Sequence, residues 1–147
     1  MPRARPAAVL ALALVAAALT TACTSGSGDS AGDFRGDQRA VADIVEDLES
    51  AASDGDENRI CRDLLAPALV RRLSAQRGCP AAVDTAIKNA DTFSFDVESV
   101  RIAGNRATAR VKFESGENDR FGTVGLTRVR PSAGWRIERL APAPAPN

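Results

Sequence analysis

The sequence predicts an α+β domain in which N-terminal helices pack on a curved antiparallel meander of four strands. Three observations lead to this prediction. Apolar residues recur at helical spacing as far as Ile87, they alternate with a period of two from Thr92 onward, and turns that contain glycine divide the alternating part. Helices followed by neighbouring strands are typical of a layer of helices on one face of a sheet.

The first predicted helix begins at Asp37, whose side chain is expected to cap it. Its apolar residues repeat at i, i+3, i+4 and i+7 and share one face: Val41, Ile44, Val45 and Leu48. The opposite face is charged and is expected to be solvated: Arg39, Asp43, Glu46 and Asp47. The loop from Ser53 to Asp56 then breaks the helix.

This loop matches the start of a calcium-binding EF-hand. Asp54, Asp56 and Asn58 stand at the first three ligand spacings. The pattern then fails, because Arg59 replaces the required glycine and Leu65 the required glutamate. We therefore predict an interhelical turn and no metal site.

The stretch from Asn58 to Cys79 is predicted to form two short helices that meet at Ala66. Pro67 cannot lie inside a helix but suits the first position of a new one. Asp56 is expected to cap the first of the two. A further helix opens at Cys79, and its expected apolar face consists of Val83, Ala86 and Ile87.

The four strands follow from alternation and turn residues. Phe93, Phe95 and Val97 share one face of the first strand, and a phase slip at Glu98-Ser99 predicts a bulge. Gly104-Asn105 predicts a two-residue hairpin turn. The second strand is half-buried, and its apolar face consists of Ala107, Ala109, Val111 and Phe113. The third contains Val124 and Leu126 beside Gly122 and Gly125, and these glycines allow curvature or close approach. The fourth contains Trp135, Ile137 and Leu140.

The N-terminal segment predicts export. Arg3 and Arg5 precede an uncharged apolar run from Ala7 to Leu19, as in a signal peptide. The following Ala22-Cys23 resembles the lipobox of bacterial lipoproteins, which implies cleavage before Cys23 and a lipid on its thiol. The alternative is ordinary secretion with an unlipidated Cys23.

Three cysteines in an exported chain leave one unpaired. If Cys23 carries the lipid, Cys61 and Cys79 remain for one disulfide in an oxidising compartment. The alternative is a pair of buried free thiols. Arginine outnumbers lysine seventeen to two, a bias typical of GC-rich genomes such as those of actinobacteria.

The predicted domain organisation has four parts. Residues 1–22 are the signal peptide, 23–36 the lipidated cysteine and a flexible linker, 37–140 a single domain, and 141–147 a disordered Pro/Ala tail. Removal of the signal peptide leaves two more acidic than basic residues, so nucleic-acid binding is not expected.

The domain resembles the nuclear transport factor 2-like superfamily, in which a bent sheet curls into a cone around helices. Gly134, Trp135 and Ile137, with Leu126 in the preceding strand, carry this resemblance. It implies a cone that could hold a small apolar ligand. Its lining would come from Phe93, Phe95, Val111, Phe113, Leu126 or Trp135, and the alternative is that these residues are simply the core of the domain.

Enzymes of that superfamily use a histidine or carboxylate, often with a tyrosine, but this chain has no histidine and no tyrosine. The acids nearest the helix-to-sheet boundary are Asp84, Asp91, Asp96 and Glu98. We assign no catalytic residue and expect no cofactor. The preferred hypothesis is a non-enzymatic lipoprotein on the outer face of the cytoplasmic membrane that binds a small apolar ligand or an envelope protein. The alternatives are an adaptor subunit of an envelope complex and an isomerase- or dehydratase-like enzyme.

Overall fold

The computed structural model describes residues 30–75, 77–90, 94–113, 120–130 and 134–142, which form an α+β domain. The helices are α1 (Asp37–Ser53), α2 (Glu57–Arg59), α3 (Pro67–Ser74) and α4 (Cys79–Lys88), with a 3-10 turn at Ser30–Asp33 and a π-helical turn at Ile60–Leu64. The strands are β1 (Phe95–Ala103), β2 (Arg106–Phe113), β3 (Arg120–Arg130) and β4 (Gly134–Pro142). The predicted order of helices before a four-stranded meander is confirmed.

The sheet is open and antiparallel, in the order β1-β2-β3-β4. One face packs against α1 and the π-helical turn, and the apolar residues of both layers form one core. Its largest fully buried side chains are Ile60, Leu126, Ile137, Val41, Val45 and Val111. Among the described residues no helix has the length and hydropathy needed to cross a membrane.

The predicted irregularity in β1 is confirmed, because the β1–β2 register shifts between Val97 and Ser99. The two-residue turn at Gly104-Asn105 is also confirmed, since Ala103 pairs directly with Arg106. Gly104 has a φ of 59°, which a residue with a side chain rarely adopts.

The close approach predicted at a glycine of β3 occurs at Gly122. A side chain there would place its Cβ 2.8 Å from Cε2 of Phe113 and 3.1 Å from the carbonyl oxygen of Ala141. Glycine is therefore required for Phe113 to lie against the sheet at this point.

The predicted break between helices is confirmed. Leu65 and Ala66 are extended, and Pro67 occupies the first turn of α3. Asp56 caps α2 as predicted, because its Oδ1 accepts a 2.9 Å hydrogen bond from the backbone N–H of Arg59.

The predicted disulfide is also present, and it joins Cys61 of the π-helical turn to Cys79 at the start of α4. On α4, Val83 is buried and Ile87 packs against the core, but the predicted apolar position Ala86 is exposed.

The cap of α1 differs from the prediction. Gly36 is the N-cap, and Asp37 is the first helical residue. The carboxylate of Asp37 instead lies 2.6 Å from Nη2 of Arg128, whose guanidinium stacks on the ring of Trp135 at 4.6 Å. This contact ties the start of α1 to the sheet.

The packed domain begins earlier than predicted. The stretch Ser30–Asp33 was expected in the flexible linker, but Ala31 is 1% exposed within the core. Glu46 holds this turn, since its Oε1 accepts hydrogen bonds from the backbone N–H of Ala31 (2.7 Å) and from Oγ of Ser30 (3.1 Å). Glu46 therefore has a structural role, whereas the sequence placed it on a solvated face.

The C-terminal boundary is also extended. β4 continues to Pro142, past the predicted boundary at Leu140, because Ala141 pairs with Thr123 and Pro142 with Gly122. Leu140 itself is 54% exposed, so it contributes little to the core.

Candidate functional site: an arginine-lined groove

The side chains predicted to line an apolar pocket form part of the core. Phe95, Val111, Leu126 and Trp135 are each at most 5% exposed. Phe113 is half-buried and packs edge-to-face on Phe95, with ring centroids 5.7 Å apart. Two other predicted positions, Phe93 and the lipidation residue Cys23, lie outside the described residues.

A groove of about 680 Å³ opens on a different part of the surface, where α3 meets the edge strand β4. It is lined by residues of α3, β2 and β4: Ala68, Arg71, Arg72, Arg106, Glu138 and Arg139. Four guanidinium groups thus surround the groove, with one carboxylate among them.

The backbone joins α3 to β4. Leu65 forms an isolated parallel bridge with Ile137, and the N–H of Ala66 donates a 2.7 Å hydrogen bond to the carbonyl oxygen of Ile137. Six residues further along the chain, Nη2 of Arg72 donates to the carbonyl oxygen of Glu138 at 3.0 Å. These bonds fix α3 beside the strand and bring Arg71 and Arg72 to the groove.

A bulge in β4 supplies the other wall. Leu126 pairs with Ile137 and Gly125 with Arg139, so Glu138 is an extra residue without a partner on β3. Gly125 leaves room for the side chain of Arg139, because a Cβ at position 125 would lie 3.6 Å from Nε of Arg139. The bulge and the glycine together place Arg139 against the face of the sheet opposite the helices.

The positive charges of the groove are only partly balanced. Nε of Arg106 lies 4.0 Å from Oε1 of Glu138, and such exposed pairs contribute little. Among the described residues, neither Arg71 nor Arg139 forms a hydrogen bond or an ion pair, and both are exposed. A guanidinium presents several N–H donors in one plane, which matches phosphate and carboxylate groups. The groove is therefore suited to bind an anion.

The charge of the whole domain is unevenly distributed. Residues 30–63 contain ten Asp and Glu against four Arg. Residues 64–147 contain eight Asp and Glu against thirteen Arg and Lys. The near-neutral composition therefore conceals an acidic N-terminal part and a basic C-terminal part that contains the groove.

The carboxylates considered for acid–base chemistry lie elsewhere. Asp84 pairs with Lys88 at 2.9 Å and Glu98 with Arg110 at 3.0 Å, while Asp96 is half-buried and Asp91 lies outside the described residues. None of these lines the groove.

The pKa of the Asp63 carboxyl is lowered, which is the opposite of what a general acid requires. Hydrogen bonds from the guanidinium of its neighbour Arg62 hold the pKa of the Asp63 carboxyl below its usual value. A proton donor that works near neutral pH needs a raised carboxyl pKa. Within the described ranges, moreover, no group of three or more Cys, Asp or Glu side chains is arranged to hold a metal ion.

Comparison with known protein families gives no match to any family model. A search of curated proteins likewise finds no similar sequence.

Proposed function

We propose that this protein is a non-enzymatic, lipid-anchored extracytoplasmic binding protein that recognises an anionic group of an envelope component. The observation that carries this proposal is the groove at the edge of β4, where four guanidiniums surround a single carboxylate. Two of them, Arg71 and Arg139, have no partner among the described residues. Anion recognition is the chemistry that this arrangement supplies.

The anchor in this proposal rests on the sequence Ala22-Cys23 after the apolar N-terminal run. The disulfide between Cys61 and Cys79 supports an oxidising compartment, because such bonds are rare in the cytosol. Two or three acyl chains on one cysteine would make the membrane attachment stable.

A ligand on the surface is favoured over an apolar ligand inside the domain. The described side chains expected to line an internal pocket pack against one another and against α1 in the core. The arginine-lined groove, in contrast, is open to solvent. We therefore favour a binding module that recognises its partner through a charged site on the surface. This is one form of the adaptor alternative.

The sheet edges are poor sites for strand addition by a partner. On β1, the N–H of Val97 donates to Oγ of Ser30 at 3.0 Å, and the carbonyl oxygen of Val100 accepts from Nε2 of Gln38 at 2.9 Å. On β4, the carbonyl oxygen of Ile137 accepts a hydrogen bond from the N–H of Ala66. Because these edge groups already have partners, recognition through the groove is favoured over pairing of strands.

We expect Arg71→Gln and Arg139→Gln each to weaken the binding of pyrophosphate to the full chain about fivefold, because one exposed charge contact is worth about 1 kcal/mol at most. Isothermal titration calorimetry at low salt would measure the change. The matched control is Arg39→Gln on α1, which removes the same charge outside the groove. Equal affinities of all three variants and the unmodified chain would overturn the assignment of the groove.

The anchor has a separate test. We expect intact mass spectrometry of the protein from its native membrane to show loss of residues 1–22 and a diacyl or triacyl adduct on Cys23. The Cys23→Ala variant should lose the adduct and its stable attachment to the membrane. An unmodified Cys23 in the membrane-extracted protein would contradict the lipid anchor.

A further inference from the structure

A second cavity adjoins the arginine-lined groove. It has a volume of about 420 Å³ and lies between α3 and α4, lined by Arg72, Leu73, Arg77, Ala82 and Thr85. The two cavities therefore share Arg72 as a lining residue.

Basic residues line both cavities, and together they form what we call the track. At one end are Arg106 on β2 and Arg139 on β4, which lie two strands apart, or about 10 Å. Arg71 and Arg72 on α3 occupy the middle, and Arg77 stands at the other end, just before α4. Five guanidiniums in succession exceed what a single small anion can contact.

From this track we propose that the ligand is a linear polyanion, a chain of repeated phosphate groups, which lies across both cavities and is centred on Arg72. This inference rests on the proposed function and extends it from one anionic group to a polymer. Each group of the chain would meet one guanidinium, so affinity would grow with the number of groups bound at the same time.

The lining of the track favours a polyanion over a folded protein. Among the described residues that line the two cavities, Leu73 is the only large apolar side chain, and none is aromatic. Protein interfaces obtain most of their binding energy from aromatic and arginine side chains in desolvated pockets, whereas the arginines of the track are exposed. A charged polymer needs none, because its affinity comes mainly from neutralised charge and released counterions.

The disulfide restrains three residues of the track. Arg71, Arg72 and Arg77 all lie in the loop that Cys61 and Cys79 close. The backbone that carries them is therefore restrained by one covalent link as well as by packing. A track preorganised in this way loses less conformational entropy when a long ligand binds.

The test compares inorganic polyphosphate chains of defined length with pyrophosphate, measured by calorimetry on the full chain. We expect affinity per molecule to rise at least tenfold from pyrophosphate to a chain long enough to span both cavities. We expect Arg77→Gln to weaken the long chain about fivefold and to leave pyrophosphate binding in the groove unchanged. Arg139→Gln should weaken both probes, and Arg39→Gln should weaken neither. Thermal unfolding of each variant checks that it is folded.

The outcomes separate this inference from the proposed function. Length-dependent affinity that is sensitive to Arg77 supports the polyanion track. Affinity that does not depend on length, with no effect of Arg77→Gln, overturns the track while the groove remains an anion site. Absence of binding by pyrophosphate and by every polyphosphate overturns both.

Discussion

Replacement of Ile137 by alanine is expected to lower the free energy of unfolding by about 4 kcal/mol. Ile137 is completely buried, and it pairs with Leu126 across the β3–β4 ladder. Removal of its side chain would leave a cavity where the sheet, the π-helical turn and the start of α3 meet. Because small domains are stable by only about 5–15 kcal/mol, this one change would remove a large fraction of the total.

Urea denaturation followed by circular dichroism would measure this loss. The matched control is Leu140→Ala on the same strand, because Leu140 is 54% exposed. We expect a change of less than about 0.5 kcal/mol there. Similar losses at the two positions would mean that β4 does not lie in the described register, with Ile137 inward and Leu140 at the surface.

Loss of the disulfide is expected to have the next largest effect. Cys61 and Cys79 are 18 residues apart, and closure of a loop of this size contributes about 3 kcal/mol by restricting the unfolded chain. We therefore expect Cys61→Ala, Cys79→Ala and the double variant to be destabilised by similar amounts, since any of them opens the loop. Chemical denaturation of each variant would show this.

Reduction of the unmodified chain provides the control for side-chain packing. Dithiothreitol should lower the stability of the unmodified protein by about as much as the double variant loses, and it should leave the variant unchanged. A loss confined to Cys79→Ala and the double variant, without a loss on reduction, would trace the effect to the buried side chain of Cys79, which is 3% exposed, instead of the bond.

Local chemistry explains which elements the sequence could predict. The break before Pro67, the cap at Asp56, the turn at Gly104-Asn105 and the bulge after Val97 each depend on a few neighbouring residues. Such signals act through backbone geometry that does not depend on the rest of the fold. The pairing of Cys61 with Cys79 followed instead from the number of cysteines and the expected compartment.

Features that depend on distant contacts were not predictable in the same way. Ser30 packs because Glu46 and the edge of β1 offer it hydrogen bonds, which a Gly/Ser-rich composition does not reveal. The arginine-lined groove likewise combines residues from α3, β2 and β4 that are far apart in the sequence. The excess of arginine after Leu64 is the one sequence signal that could have indicated it, and the near-zero net charge conceals that excess.

If Cys23 carries the lipid proposed above, the packed turn at Ser30–Asp33 limits how far the domain can stand from the membrane. A chain anchored at Cys23 and fixed to the domain only at Asp37 could extend about 50 Å, but fixation at Ser30 limits the span to about 25 Å. A force on the anchor would then act directly on the edge of β1, through the hydrogen bond between Val97 and Ser30. The shorter tether would restrict the domain to ligands close to the bilayer.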